Sequence, residues 1–289
     1  MKIFHGMIIF NKPTMRLLNS STAVAIGGGL RLHIAFLLAG LAARIPEYCA
    51  CALIIYATYT LDRTLDCKED AINKSELCGA NTRIGIIACV VTFLAGSCIF
   101  IADGIYLAPF FPFIVGYVYT RKIRIGPYEF RLKGGCGMKN LIIGITWGGS
   151  IALVVGQWCT SIMTIWIIFL FFALKLFTTS CVNDLKDVKG DLLAGIRTIP
   201  VILGEKLTKK VLILVLFILN GVTVCAIYAG EIRNEWIILS FSLALTTCFL
   251  VVYSPVFEDS PHLLLRKMRE IVLSWEYAIA LAIRACVAV

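Results

Sequence analysis

The sequence predicts an all-α membrane protein, nine transmembrane helices bundled around a central cavity, and three observations predict it. Of 289 residues 59% are hydrophobic and only 16% charged, with a mean hydropathy of +0.87. A soluble domain averages roughly 45–50% apolar and 25% charged. Apolar stretches also recur near the length of about 20 residues that a helix needs to cross a hydrocarbon core about 30 Å thick. Finally, the basic residues sort into alternate loops. Long apolar runs without strand-length alternation exclude an outer-membrane barrel.

The nine segments fall at about 20–43, 45–61, 84–102, 104–120, 140–157, 160–182, 208–229, 234–254 and 271–289. The first is preceded by an interfacial lead-in, Met1–Ser20, whose apolar part Phe4–Phe10 is too short for a signal segment and has no small-residue cleavage site after it. The second ends in an acidic cluster, and so does the sixth. The third and fourth are joined by a very short loop, as are the first and second. With the amino terminus on one side, that terminus and the 2–3, 4–5, 6–7 and 8–9 loops carry 22 Lys and Arg, and the opposite face carries only Arg44 and Arg233. Positively charged loops stay cytoplasmic. This places the amino terminus and both acidic clusters in the cytoplasm, with the acidic clusters read as Asp-rich loops. The chain reads as one membrane domain over 1–289, its halves divided near 139/140.

The net charge of +9 therefore reflects topology and contact with lipid headgroups, and excludes a nucleic-acid partner. Twelve cysteines do not make a disulfide or metal framework. Most lie singly within apolar spans, where cysteine acts as a small apolar side chain, and no Cys-x-x-Cys occurs. His5, His33 and His262 are too few and too scattered for a zinc or haem site.

The 18 acidic residues are more informative because they cluster. In Asp62-Arg63-Thr64-Leu65-Asp66-Cys67-Lys68-Glu69-Asp70, the spacing of Asp62, Asp66 and Asp70 aligns three carboxylates on one helical stripe. In Asn183-Asp184-Leu185-Lys186-Asp187-Val188-Lys189-Gly190-Asp191, Asp184, Asp187 and Asp191 again share a face. Like charges at this spacing repel, and at a helix carboxyl end they also oppose the macrodipole. Such ladders call for a cation. Hard carboxylate oxygens suit Mg²⁺, which binds one or two carboxylates together with substrate phosphates. The interleaved Arg63, Lys68, Lys186 and Lys189 can neutralise the remaining charge of a diphosphate.

At these residues the chain resembles the UbiA superfamily of intramembrane prenyltransferases. Asp187-x-x-x-Asp191, continuing through Leu192-Leu193-Ala194-Gly195-Ile196-Arg197-Thr198-Ile199-Pro200 to Gly204, reads as that family's second motif almost throughout. The first cluster is similar to its Asn-Asp-x-x-Asp-x-x-x-Asp, with Asp62 at the Asn position, Arg63 at the first Asp, and Asp66 and Asp70 in place. Tyr117-x-x-x-Arg121-Lys122 resembles the family's Tyr-x-x-x-Lys-Arg with the basic pair reversed, and Arg16 lies where members carry a basic residue near the acceptor pocket. Asp66 and Asp70 recur as Asp187 and Asp191 after 121 residues, which suggests two related halves with the metal site at the mouth of the bundle.

The resemblance implies an enzyme that moves a prenyl group from a prenyl diphosphate to a lipophilic acceptor. In that reading Mg²⁺ is held by Asp66, Asp70, Asp187 and Asp191. Arg16, Arg63, Tyr117, Arg121, Lys122, Asp184 and Lys189 contact substrate, and Asp62 or Asp66 serves the acceptor. The expected acceptor is aromatic or a quinone precursor, with a glycerol-phosphate ether lipid or a tetrapyrrole as alternatives. A cation-coupled transporter is the main rival class, but transporters place carboxylates near mid-bilayer in inverted repeats. Here four spans separate two clusters at span ends, which preserves orientation. Charges within spans are costly. Lys175 either snorkels or faces the cavity, Arg31 and His33 are paired or mark a later start of the first span, and Glu276 and Arg284 are expected to be structural.

Overall fold

The computed structural model describes residues 12–65, 79–120, 123–125, 128–130, 135–193 and 195–287. Nine α-helices occur among the described residues: α1 Lys12–Leu38, α2 Ile45–Leu65, α3 Thr82–Ala102, α4 Leu107–Thr120, α5 Met138–Val155, α6 Ile162–Leu193, α7 Ile199–Tyr228, α8 Trp236–Val252 and α9 Leu263–Val287. Each overlaps one predicted segment. Five of them (α1 from Pro13, α3, α5, α6 and α7) are long and apolar enough to cross a membrane by length and composition, and α4 and α8 are shorter apolar helices. A short 3₁₀ turn, Pro255–Asp259, precedes α9. A small antiparallel hairpin, Ile123–Ile125 with Tyr128–Phe130, is the only strand pairing among the described residues, in a loop where no strand was expected.

Four boundaries differ from expectation by eight residues or more, among them the start of α9, at Leu263 and not near 271. The first helix begins at Lys12 within the expected lead-in, because Pro13 in the first turn lacks only an N–H that would have no partner there. The sixth helix runs to Leu193, so the second acidic cluster is helical and not a loop. At 1.5 Å per residue its 32 residues extend about 48 Å, and its last turns project past a core about 30 Å thick. The seventh begins at Ile199 and kinks at Gly204, whose φ of 71° and ψ of 167° are open to glycine alone.

The chain divides into two compact units, Met1–Gly29 with Ile45–Arg131, and Leu30–Arg44 with Leu132–Val289. The division falls inside α1, eight residues before the expected half boundary on its other side. In the first unit α2 packs on α3 and α4. The close approach is possible because Gly96 faces the Ala50 carbonyl, where an added Cβ would come within 2.9 Å. Asn81 starts α3 by accepting from the Arg83 and Ile84 amides.

In the second unit α5 lies against α6. Gly144 and Gly148 form a small-x-x-x-small pair that brings the two backbones together, as in membrane helix pairs generally. A Cβ on Gly144 would meet the Ala173 carbonyl at 2.5 Å, and one on Gly148 would meet the Ala173 amide nitrogen at 2.6 Å. Opposite α5, Cys181, Val182 and Leu185 of α6 enter a core with Leu212 and Leu216 of α7, Phe249 and Leu250 of α8, Tyr253 just after it, and Val272 and Leu273 of α9. One face of α6 is thus locked in an apolar core, which leaves the acidic stripe to face α5.

Candidate active site

The stripe on α6 runs Ser180, Asp184, Asp187, Asp191. Moving down α5 from Gly148 to Asn140 matches moving up α6 from Ala173 to Asp184, so the two helices are antiparallel and the first turn of α5 meets the last turns of α6. Asn140 is completely buried and uses all of its amide. Its Nδ2 donates to Ser180 Oγ at 3.0 Å and to Asp184 Oδ2 at 2.7 Å, and its Oδ1 accepts from the Ile199 amide at 3.1 Å. Beside it, Lys139 Nζ lies 2.7 Å from Asp184 Oδ1 and 3.5 Å from Asp191 Oδ2.

The loop after α6 is held from the same turn. The Gly137 amide donates to the Arg197 carbonyl at 2.7 Å, and the Ile196 amide closes the helix end by donating to the Asp191 carbonyl at 2.8 Å. On the far side, Arg269 of α9 donates to Asn183 Oδ1. Asn183 and Asp184, adjacent in sequence, are therefore fixed from opposite directions.

The three acids of the stripe differ sharply in environment. Asp184 and Asp191 are 3% and 2% exposed. Burial of an anion is tolerated only when it is paired, and Lys139 and Asn140 supply the pairing. Asp187 is the accessible member, its side chain 22% exposed and 3.5 Å from Lys186. Lys189 is exposed, as are Leu192 and Leu193 beside it.

In the first unit, α2 carries Asp62, half-buried, to its last turn. Arg63 donates to Ser20 and Ser21 of α1 at 3.0 and 2.8 Å, and its guanidinium lies 5.7 Å from the Tyr59 ring centroid. The geometry gives Arg63 a role in fastening α2 to α1. Arg16 and Tyr117 present exposed side chains. Asp66, Asp70, Lys68, Arg121 and Lys122 lie outside the described residues. Among the described residues no group of three or more His, Cys, Asp or Glu is gathered to hold a metal.

Lys139 and Asn140 are absent from the set that the sequence singles out. Lys139 reads as one more basic loop residue, because nothing local shows which carboxylates α5 will meet. The available signal was Gly144-x-x-x-Gly148, which announces a tight helix contact one turn away.

A family model described as the UbiA prenyltransferase family matches residues 18–269. Among solved structures, a UbiA homolog from Archaeoglobus fulgidus bound to GPP and Mg²⁺ aligns with a TM-score of 0.61 at 17% identity, over 93% of this chain and 98% of that one. The apo structure of a UbiA homolog from Aeropyrum pernix K1 gives 0.60 at 13% identity, over 91% and 98%. A structure of digeranylgeranylglyceryl phosphate synthase gives 0.56 at 15% identity, over 94% and 93%. Comparison with curated proteins gives no significant match. At these identities the structural likeness is one of fold.

Proposed function

The chain belongs to the UbiA prenyltransferase family, and from that premise we propose that it transfers a geranylgeranyl or longer polyprenyl group from its diphosphate to a lipophilic, aromatic or quinone-precursor acceptor, releasing diphosphate. The observation that carries this reading is the acidic stripe of α6, with Asp187 accessible and Asp191 held only at 3.5 Å. Homologs of the same fold were solved with GPP or DMAPP and Mg²⁺.

Asp187 and Asp191 fit what Mg²⁺ requires, one or two carboxylates with the rest of its shell left to phosphate and water. Asp66 and Asp70 of the first motif are the proposed further ligands. When bound, the ion supplies charge stabilisation for the oxygens of the departing diphosphate. Asp184 has both oxygens engaged by Lys139 and Asn140, so its part is to hold the motif and not to touch substrate. Lys189, Arg121 and Lys122 donate charge-assisted hydrogen bonds to the diphosphate, with Tyr117 and Arg16 beside the substrates. The allylic C1–O bond breaks and its electron pair leaves on the diphosphate oxygen, while apolar helix walls keep water from the cation. A carbon or oxygen of the acceptor gives its pair to C1, and its proton passes to a carboxylate, Asp66 or Asp62. The prenyl tail lies among helices, each buried methylene contributing about 0.8 kcal/mol. The split of basic residues between loops supports a multi-pass protein with the site at the cytoplasmic face.

A glycerol-phosphate ether acceptor is the second reading, favoured by the likeness to digeranylgeranylglyceryl phosphate synthase. Purified enzyme in detergent, given labelled geranylgeranyl diphosphate and acceptors of each class with and without EDTA, separates them. Mg²⁺-dependent product on aromatic or quinol acceptors is expected. Product on the glyceryl phosphate alone overturns the acceptor class, and diphosphate release at full rate in excess EDTA overturns the metal reading.

A further inference from the structure

Lys139 is a nearly buried cation that the reaction just described does not use. Its side chain is 15% exposed, and its ammonium lies between two carboxylates at unequal distances, 2.7 Å to Asp184 and 3.5 Å to Asp191. The first is a full charge-assisted hydrogen bond. The second is a long, weak hydrogen bond at the outer limit of the range. Lys139 has little freedom to even out these contacts. Gly144 and Gly148 hold α5 at backbone contact with α6, and Asn140, the next residue, is tied to Ser180, Asp184 and Ile199.

From this geometry we infer that Lys139 is a positioning residue, the resident counter-ion of the second acidic motif, which holds Asp184 and Asp191 together in the substrate-free enzyme and yields Asp191 when a divalent cation arrives. The inference rests on the prenyl-diphosphate reading above. One ammonium against two carboxylates leaves a net negative charge, so the motif still attracts a cation. Asp191 can turn to that cation by giving up only this one long bond from Lys139, whereas Asp184, bonded at 2.7 Å through both oxygens, stays in place. Once diphosphate and cation have left, Lys139 attracts Asp191 again and the motif returns to its starting arrangement.

The test titrates Mg²⁺ against substrate-free protein in detergent and reads the thermal midpoint, with Mg²⁺-dependent prenyl transfer by the wild type measured in parallel. In Lys139→Met, Asp184 and Asp191 lose their shared ammonium, and the divalent ion supplies the missing counter-charge. Its midpoint without Mg²⁺ falls, and Mg²⁺ raises it by at least about twice the wild-type shift. In Asp184→Asn the ammonium passes to Asp191 and competes for it, so the half-saturating Mg²⁺ rises about fivefold or more. Lys139→Arg keeps the charge and responds to Mg²⁺ within about twofold of wild type. A lysine with a merely structural role would lower the midpoint equally with and without Mg²⁺, and coincident titrations in all four proteins overturn the inference. So does an unchanged titration in Lys139→Met accompanied by a raised KM for the diphosphate, which would make Lys139 a substrate ligand. Should Lys139→Met not fold, Asp184→Asn decides alone, and an unshifted half-saturating Mg²⁺ overturns the proposal. Wild-type transfer that proceeds unchanged in EDTA instead removes the metal reading beneath it.

Discussion

Lys175 on α6 and Glu276 on α9 form a 2.7 Å ion pair with side chains only 4% and 2% exposed. Thr246 Oγ1 accepts from Lys175 Nζ at 2.7 Å, and Ser242 Oγ donates to Glu276. Two charges that look isolated in the sequence are one neutral network joining α6, α8 and α9. Arg284, eight residues after Glu276, pairs with Glu235 through Nε and Nη2 at 2.5 and 2.7 Å. Arg31 lies 5.4 Å from the Tyr277 ring centroid, and α1 begins earlier than expected, not later.

Removing one partner of a buried pair leaves the other charge uncompensated, which costs about 3–5 kcal/mol. Lys175→Met should therefore lower the detergent unfolding midpoint strongly. The double variant Lys175→Met with Glu276→Leu should recover more than half of the loss. A double variant that is the sum of its parts would show that the two residues act independently.

The approach of α5 to α6 makes a second prediction. Gly148→Ala places a methyl 2.6 Å from the Ala173 nitrogen and 2.8 Å from its Cα, backbone that cannot yield. Overpacking of this kind costs about 1–3 kcal/mol. The shift displaces Lys139 and Asn140 from Asp184, so turnover should fall with stability. Gly221 on α7 has nothing within 4 Å of a built Cβ, and Gly221→Ala should stabilise by about 0.5–1 kcal/mol through helix propensity alone. Equal effects at both positions, read by thermal melts and prenyl transfer, would refute the packing account.

The third prediction separates metal-binding carboxylates from solvated charges. Asp66→Asn and Asp187→Asn are nearly isosteric and should leave the melting midpoint almost unchanged. Each removes one anionic ligand, and losing a few kcal/mol of leaving-group stabilisation lowers transfer at saturating diphosphate by roughly 10²- to 10³-fold. Glu76→Gln, off both ladders, should retain near wild-type rate. Comparable small losses at all three positions would leave the site assignment without physical support.

The sequence by itself determined the helical membrane class, the family and the face of α6 that carries Asp184, Asp187 and Asp191, because hydropathy and helical periodicity are local properties of the chain. It could not show that Asp184 is a buried, doubly bonded framework residue while Asp187 is accessible, since both are aspartates on one stripe. That distinction depends on which neighbour each carboxylate meets. Only packing decided it: the glycines of α5 draw its first turn onto α6, and Lys139 and Asn140 arrive with it. The same holds for Lys175, whose partner lies 101 residues away on another helix. A charge inside a membrane bundle is stable only beside its counter-charge, and tertiary structure alone selects which counter-charge that is.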